Sequence, residues 1–354
     1  MAAPNPNQQA AEDIRALQSK IEDLQDGVRL TETRQAVADL QATVNGLEAR
    51  LTALRGRGYV FEKDLEGQAK ALVDSWALLA PNVQAQIEAQ STNLVNSLRP
   101  VELQMPQLAA LAGNPAAASG LLRTLQASAD QMDGMVSAAQ DSIAGMYTQF
   151  GSQVGALDSH LDAVEFLLTQ LAEASFQLLP TEAGIAAVKA VWCKTGKEQK
   201  DDPEGILFLT DQRLLFEQKE DVTTKKVLFV ATEKKKLQQL LHEAPVALAE
   251  AVTISKQGLM KNEDHIEVRF GGGAPIGSAH YHIWQENTAW QALINRAKTK
   301  DFDASRAVAL DQAAVDKVKS APSQCPNCGG NINQVILRGQ DSLKCEYCGF
   351  VIRL

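Results

Sequence analysis

Residues 205–218 read Gly205-Ile-Leu-Phe-Leu-Thr-Asp-Gln-Arg-Leu-Leu-Phe-Glu-Gln218. Two short apolar runs, residues 206–209 and 214–216, flank the four polar residues 210–213. This arrangement predicts a β-hairpin with a polar turn at its tip. Helical patterns precede the hairpin and further strand patterns follow it, so the hairpin separates a helical part of the chain from a small sheet.

The helical part begins with apolar residues at three- and four-residue spacing from residue 14 to residue 54, with a change of phase between residues 27 and 34. This is coiled-coil spacing. Two shorter helices are predicted at 60–80 and 82–98, the second started by Pro81. In the stretch that Pro115 opens, a further apolar stripe from residue 132 to 171 predicts one long helix or two collinear ones. Its apolar face must be covered, either by the 14–54 helix or by a second copy of the chain.

After Pro180 the pattern changes to short strands. Besides the hairpin, we predict strands at 185–195, 227–231, 251–256, 265–270 and 280–284, and a helical turn at 237–242. An amphipathic helix at 287–298 carries Trp290, Leu293 and Ile294 on one face. Six or seven strands followed by one helix is the expected order of elements.

The pattern Gly205-x-Leu-x-Leu-Thr-x-x-Arg-Leu-x-Phe resembles the opening of GRAM and bacterial pleckstrin-homology-like domains. The resemblance covers about residues 181–300 and implies a bent β-barrel plugged at one end by its C-terminal helix. It also implies binding of phosphoinositides or of a membrane surface. The sequence departs from lipid-binding members in the loop at 194–204, where three Lys face four acidic residues.

Basic residues that remain for an anion or lipid headgroup are Lys234, Lys235 and Lys236, which precede the predicted helical turn. A solvated run of charge is the alternative interpretation. Both interpretations stay open from the sequence.

Four of the five cysteines form two C-x-x-C pairs, Cys325 with Cys328 and Cys345 with Cys348, separated by 16 residues. This spacing is typical of a zinc ribbon, in which two knuckles joined by a strand pair, here 332–337 and 342–344, hold one Zn²⁺. Four thiolates leave no coordination position for water. We therefore predict a structural zinc ion and not a catalytic one.

The other residues that could react or bind a metal have two interpretations each. Cys193 follows Trp192 in a predicted strand, where a buried apolar thiol is favoured over a reactive one. His280 and His282 lie two apart on one strand and so share a face. His265 with Glu267 on a neighbouring strand would complete a second metal site, or all of them are ordinary histidines, depending on the strand register.

Charge separates the parts of the chain: residues 1–179 carry 11 Lys and Arg against 21 Asp and Glu, and residues 180–302 carry 17 of each. An acidic helical part cannot supply the phosphate contacts of a nucleic-acid binder. The start of the chain lacks the pattern of a secretory signal, and no apolar run is long enough to span a bilayer. Together with two C-x-x-C pairs, these features favour a reducing, cytoplasmic compartment.

The predicted fold class is multidomain α + β. It comprises an N-terminal long-helix or coiled-coil bundle, a pleckstrin-homology-like β-barrel with a C-terminal helix, and a small zinc ribbon. The predicted divisions are a disordered tail at 1–9, a helical region at 10–179, the barrel at 181–300, a linker with a short helix at 301–323 and the ribbon at 324–354.

No activated nucleophile, general base or phosphate loop is apparent, so we predict a non-enzymatic protein. The leading hypothesis is a cytoplasmic scaffold or adaptor, of bacterial type by its Ala- and Gln-rich helices, that binds protein partners or itself through the coiled coil. One alternative is a peripheral membrane protein that uses the barrel. The second alternative is a nucleic-acid-associated regulator that uses the ribbon.

Overall fold

The computed structural model describes residues 6–227 and 230–354, and the side chains of residues 8–220 and 236–354. The chain divides into two compact units. The first comprises Met1–Glu48 and Gly67–Asp158, and the second comprises Ala49–Glu66 and Ser159–Leu354. The first unit is helical; the second contains the sheet and the cysteine pairs. The finer divisions at residues 180, 300 and 324 stay predictions.

The helices that precede the sheet are α1 (Pro6–Val28), α2 (Thr31–Gly56), α3 (Leu65–Ala110) and α4 (Pro115–Glu173). Residues 6–9, predicted to be disordered, form the first turn of α1, where proline is accepted because early helical positions need no N–H donor. Residues 1–5 of the predicted tail lie outside the described residues. The predicted phase change falls at the break between α1 and α2, where Leu30 is fully buried with a φ of 54°.

The first unit is a helical bundle around one apolar core. Trp76 of α3 stacks on Phe150 of α4 with ring centroids 5.2 Å apart, and its indole N–H donates to Gln41 of α2. Lys20 of α1 pairs with Asp130 of α4 at 2.7 Å. The long helix therefore packs on the 14–54 helix of its own chain, the first of the two alternatives. The seam residues buried in this unit are Ile14, Leu17, Ile21, Leu24, Val28, Val37, Val44 and Leu47.

Helix α3 corrects the prediction of two separate helices at 60–80 and 82–98. It runs without a break through Pro81, Pro100 and Pro106. Each interior proline costs roughly 3 kcal/mol of helix stability. Burial of an apolar side chain contributes roughly 1.5–3 kcal/mol, and α3 buries more such side chains than it contains prolines. These are Trp76, Val83, Ile87, Leu94, Leu98, Val101 and Leu108.

The second unit contains a seven-stranded antiparallel sheet with the strand order β4-β3-β2-β1-β7-β6-β5. The strands are β1 (Gly184–Trp192), β2 (Glu204–Thr210), β3 (Arg213–Val227), β4 (Val230–Pro245), β5 (Ala249–Gln257), β6 (Glu263–Phe270) and β7 (Ser278–Ile283). The predicted hairpin is confirmed as β2 and β3, paired from Gly205 with Gln218 to Leu209 with Leu214.

One predicted element around β4 is wrong: residues 237–242, predicted as a helical turn, belong to β4. Of the predicted strand 227–231, Val227 ends β3 and residues 230 and 231 begin β4, while residues 228 and 229 lie outside the described residues. The leucine spacing of residues 237–242 suits a helix. However, β4 has β3 as its one neighbour in the sheet, and pairing along its length satisfies backbone groups that a short helical turn would leave open.

Helix α5 (Asn287–Lys298) matches the predicted helix and buries Trp290 and Ile294. The Asn287 side chain anchors its start, donating to the carbonyls of Ser255 in β5 at 2.9 Å and His265 in β6 at 3.3 Å. Beyond it, α6 (Gln312–Lys319) lies within residues 301–323, where a short helix is predicted. Strand β8 (Ser342–Lys344) pairs with β9 (Val351–Arg353), whereas residues 332–337, predicted to be its partner, form no strand.

The sheet buries a neutral histidine that should make stability depend on pH. His242 lies against Trp192 and Phe216, and its Nε2 is 2.5 Å from the hydroxyl of Tyr281. Burial lowers the pKa of His242 from 6.5 to about 4. Between these values the unfolded chain binds a proton that the folded chain does not. Acidification from pH 6.5 to 4 should therefore remove about 3 kcal/mol from the free energy of unfolding.

Urea unfolding at several pH values, compared with His242→Gln, isolates this contribution. In the variant, the free energy of unfolding should change less between pH 6.5 and 4, because the unfolded state then gains no proton at this position. Equal slopes for the two proteins would contradict the assignment of a neutral, buried His242.

Candidate metal centre

Two matching backbone turns position the four cysteines in the ribbon (residues 324–354). In the first, the N–H of Gly329 donates to the carbonyl of Cys325 at 2.8 Å; in the second, Gly349 donates to Cys345 at 2.9 Å. Both glycines have a φ near 70°, at 72° and 73°, a left-handed conformation that explains why glycine follows each C-x-x-C pair. The two turns bring the four cysteines of the predicted knuckles together.

The four sulfur atoms lie within 4.8 Å of one another, and we call this group the four-cysteine cluster. The Sγ atoms of Cys325 and Cys348 are 3.7 Å apart, as are those of Cys328 and Cys345. A tetrahedral ion with Zn–S bonds of about 2.3 Å places its ligands about 3.8 Å apart. The cluster therefore has the dimensions of a closed four-thiolate site that can hold a metal ion.

Hydrogen bonds prepare one of these thiols for metal binding. The backbone N–H of Phe350 and the side-chain amide of Asn327, which is 3.6 Å from the sulfur, lower the pKa of Cys348 to about 6. A thiolate is the form that binds metal. Beneath the cluster, Leu343 and Ile352 are buried with Cys325 and Cys345, and they form the whole fully buried core of the ribbon.

The hairpin turn (residues 210–213) fastens the ribbon to the sheet, a role the sequence did not reveal. The Gln212 side chain donates to the carbonyl of Arg338 at 3.0 Å and accepts the Arg338 N–H at 2.5 Å. Asp211 Oδ2 accepts from the guanidinium groups of both Arg338 and Arg306. Burial raises the pKa of Asp211, and the two guanidinium groups oppose that rise.

The other two residues of the turn hold the hairpin to the chain that precedes β1. The Thr210 hydroxyl donates to Glu182 Oε1 at 2.6 Å, and the Arg213 guanidinium donates to both carboxylate oxygens of Glu182. Thr210 and Arg213 belong to the motif on which the family resemblance rested. In this chain they share a buried carboxylate, so their role in the structure is to fix the turn.

The predicted lysine site is described only in part. Lys236 is exposed on β4, and the side chains of Lys234 and Lys235 lie outside the described residues. An anion or lipid contact at these residues stays a prediction.

The residues of the predicted second metal site on the sheet come together in part. The register of β6 with β7 places His265 opposite His282 and Glu267 opposite His280. Cys193 is buried beside them, and burial raises the pKa of its thiol to about 11, in keeping with the predicted inert thiol. Glu263 and Glu198, which sequence reasoning did not connect with these histidines, face His265 and His282.

No protein-family model matches this chain, and no curated protein matches it. Among solved structures, the DH/PH domains of p115-RhoGEF align with 13% identity over 84% of this chain and 95% of that one, with a TM-score of 0.22. A structure of the Vav1 exchange factor with its PH and C1 domains aligns with 9% identity over 93% and 97%, with a TM-score of 0.18. Because both scores are far below 0.5, these likenesses carry no argument. Within the described residues, no helix combines the length and apolarity needed to span a bilayer.

Proposed function

We propose that this chain is a non-enzymatic docking protein that binds a protein partner through its zinc ribbon. The observation that carries the proposal is a group of exposed apolar residues at the second knuckle. Tyr347, Phe350 and Val351 are 66%, 44% and 57% exposed and lie within five residues of one another in a segment whose cysteines belong to the cluster. Exposed aromatic and aliphatic side chains grouped in this way are typical of protein-binding surfaces.

The ribbon in this proposal is structural and holds Zn²⁺. The four sulfur donors suit Zn²⁺, and their closed tetrahedron leaves no position for a substrate or water. The sheet domain, which we assign to the pleckstrin-homology superfold from its seven antiparallel strands followed by α5, serves as a rigid base for the ribbon. Reduced cysteines fit a cytoplasmic location.

Two observations favour a protein partner at the ribbon over the other candidates. The seam residues proposed for self-association are buried within one chain, so they are not available to a second copy. The ribbon carries two exposed basic residues, Lys344 and Arg353, against two exposed acidic ones, Asp341 and Glu346, while Arg338 is occupied by Asp211. A balanced surface of this kind gives little attraction to nucleic acid.

Affinity capture with matched variants tests the proposal. The Tyr347→Ser, Phe350→Ser double variant should lose a partner that the wild-type chain retains, by at least about tenfold if these are anchor residues. The control is Leu78→Ser with Leu103→Ser, which removes equally exposed apolar side chains from α3. The captured protein is then purified and titrated against each form. Equal binding by the ribbon variant would contradict a ribbon-docked partner.

A second candidate function is binding to a membrane surface through the turn between β5 and β6. Leu259 and Met260 are 100% and 83% exposed at that turn, with Lys261 beside them, while Lys256 pairs with Asp264 at 2.6 Å. Two exposed apolar residues next to a lysine suit shallow insertion at an anionic headgroup layer. Co-sedimentation with vesicles containing phosphatidylserine should then fall on Leu259→Ser, Met260→Ser. Failure of the wild-type chain to sediment at low salt would remove this candidate.

A further inference from the structure

A second group of potential metal ligands lies on the sheet, at β6 and β7, in the same unit as the ribbon but outside the four-cysteine cluster. Glu263, His265 and His282 each present one ligand atom, and the three atoms lie within 4.8 Å of one another. We call this group the histidine site. His265 and His282 are directly opposite each other in the β6–β7 register, and their rings stack with centroids 4.9 Å apart.

The hydrogen bonds around His265 determine which of its nitrogens carries the proton. The amide nitrogen of Gln257 faces Nε2 of His280 at 3.4 Å, and an amide nitrogen is a donor, so that His280 nitrogen accepts. His280 Nε2 is also 3.0 Å from Nδ1 of His265. The proton of this bond therefore belongs to His265 Nδ1. We assign the tautomer from these partners, and it leaves a lone pair on His265 Nε2.

That lone pair has no hydrogen-bond partner although the His265 side chain is only 1% exposed. The nearest charged atom is Oε2 of Glu263, 3.7 Å away. A carboxylate oxygen and an imidazole lone pair are both acceptors, so neither can satisfy the other. A buried acceptor without a partner costs about 1–3 kcal/mol. A cation between the two atoms would remove that cost.

A different carboxylate gives His282 the same tautomer as His265, with its proton on Nδ1. Its Nδ1 is 2.5 Å from Glu198 Oε2, so Nδ1 donates its proton there and Nε2 keeps its lone pair. A carboxylate on the far nitrogen of a metal-ligating histidine is a recurrent feature of metal sites, where it fixes the tautomer and orients the ring. Two histidines, each with a lone pair on Nε2, and one carboxylate thus belong to one group whose ligand atoms lie within 4.8 Å of one another.

We propose that Glu263, His265 and His282 bind one divalent transition-metal ion, of which Zn²⁺ is the best match to two imidazoles and a carboxylate. A tetrahedral ion with bonds of about 2.0–2.1 Å holds its ligands about 3.4 Å apart, so binding draws ligand atoms that now lie within 4.8 Å together by at most about 1.4 Å. Three protein ligands leave one position open for water or a ligand of a partner. This distinguishes the histidine site from the closed four-cysteine cluster.

A competing arrangement shares His265. Cys193, His265 and His280 also lie within 4.8 Å of one another. In that group, however, the facing nitrogens of His265 and His280 already satisfy each other through their hydrogen bond, and the Cys193 thiol is buried and protonated. The atom that lacks a partner faces Glu263, which is why we place the ion there.

The test measures metal stoichiometry on the full, untagged chain, dialysed against Zn²⁺ or Co²⁺. Wild-type protein should bind two ions, one in the ribbon and one in the histidine site. Glu263→Gln and His282→Gln should retain the ribbon ion and weaken the second by more than about tenfold. Glu198→Gln should weaken it by 10- to 100-fold through loss of ring orientation. Circular dichroism verifies that each variant is folded.

Cys193→Ser is the matched control and should bind the second ion as the wild type does. In the Co²⁺ form, the second ion should add no thiolate-to-metal charge-transfer absorption, because its ligands are nitrogen and oxygen. Three results would overturn the proposal: one ion only in the wild type, loss of the second ion in Cys193→Ser but not in Glu263→Gln, or a sulfur charge-transfer band from the second ion.

Discussion

Replacement of Asp211 by Asn is expected to lower the free energy of unfolding of the second unit by roughly 1–3 kcal/mol, the cost of leaving buried donors unsatisfied. The Asp211 carboxylate is 3% exposed and is shared by the guanidinium groups of Arg306 and Arg338, which are 7% and 12% exposed. The neutral amide of Asn leaves the buried guanidinium groups of Arg306 and Arg338 without the carboxylate charge that they share. Arg306 keeps its ion pair with Asp303, at 3.5 Å, and its contact with the Phe61 ring, at 4.8 Å.

Urea unfolding followed by tryptophan fluorescence measures this effect. In a Trp76→Phe background the signal comes only from Trp192, Trp284 and Trp290, which all belong to the second unit. The control is Asp301→Asn, which removes the same charge from a solvent-exposed pair with Arg296 and should cost less than about 1 kcal/mol. A similar small loss for both variants would mean that the hairpin turn does not support the fold.

Loss of the ribbon metal is expected to have the largest effect of all. The ribbon buries only four side chains fully, two of them its own ligands Cys325 and Cys345, so it has too little core to fold without the ion. Structural Zn²⁺ contributes roughly 10–16 kcal/mol in comparable small modules. The Cys345→Ser, Cys348→Ser variant should therefore release one zinc ion and unfold residues 324–354.

The effect should extend beyond the ribbon. Once Arg338 leaves, Asp211 and Gln212 lose partners, and the sheet should lose about 1–3 kcal/mol for the buried groups left unsatisfied. Zinc analysis and thermal unfolding measure both effects. The control Cys193→Ser should release no ribbon zinc. Unfolding confined to the ribbon, with an unchanged transition for the sheet, would contradict the role of Arg338.

The features that the sequence predicted are those set by local pattern. The apolar runs at 206–209 and 214–216 are enough to specify the hairpin, because a short apolar run and a polar turn act within a few residues. The C-x-x-C spacing is enough to place the four cysteines, since each knuckle is a single backbone turn. Helix α5 follows from one apolar stripe with Trp290 and Ile294.

The features that were missed depend on contacts between distant parts of the chain. Three prolines predict the end of a helix, but the apolar face of α3 is buried along its whole length and offsets their cost. Residues 237–242 have helical spacing, but β3 pairs with them. The link from Gln212 to Arg338 joins residues 126 positions apart. A run of polar residues predicts a solvent-exposed turn. The structure shows instead that Asp211 is buried between Arg306 and Arg338.

The histidine site illustrates an intermediate case. His280 and His282 share a strand face by their spacing, and the sequence allowed a neighbouring pair at His265 and Glu267. The register of β6 and β7 decides which histidine lies opposite His265: it selects His282 and places Glu267 opposite His280. Glu263, two residues before His265 on β6, is the carboxylate that approaches it, at 3.7 Å. A one-residue change in register would have reversed every face, so spacing alone could not identify the ligands.

Hydrogen exchange on the full chain, with and without a strong zinc chelator, tests most directly the claim that metal, ribbon and hairpin turn form one structure. We expect chelation to expose the amides of residues 324–354. It should also speed exchange at the hairpin turn, where the N–H groups of Gln212 and Arg213 donate to the Thr210 hydroxyl. The amides of α5 should stay protected. Fast exchange in the ribbon with an unchanged hairpin turn would contradict the account.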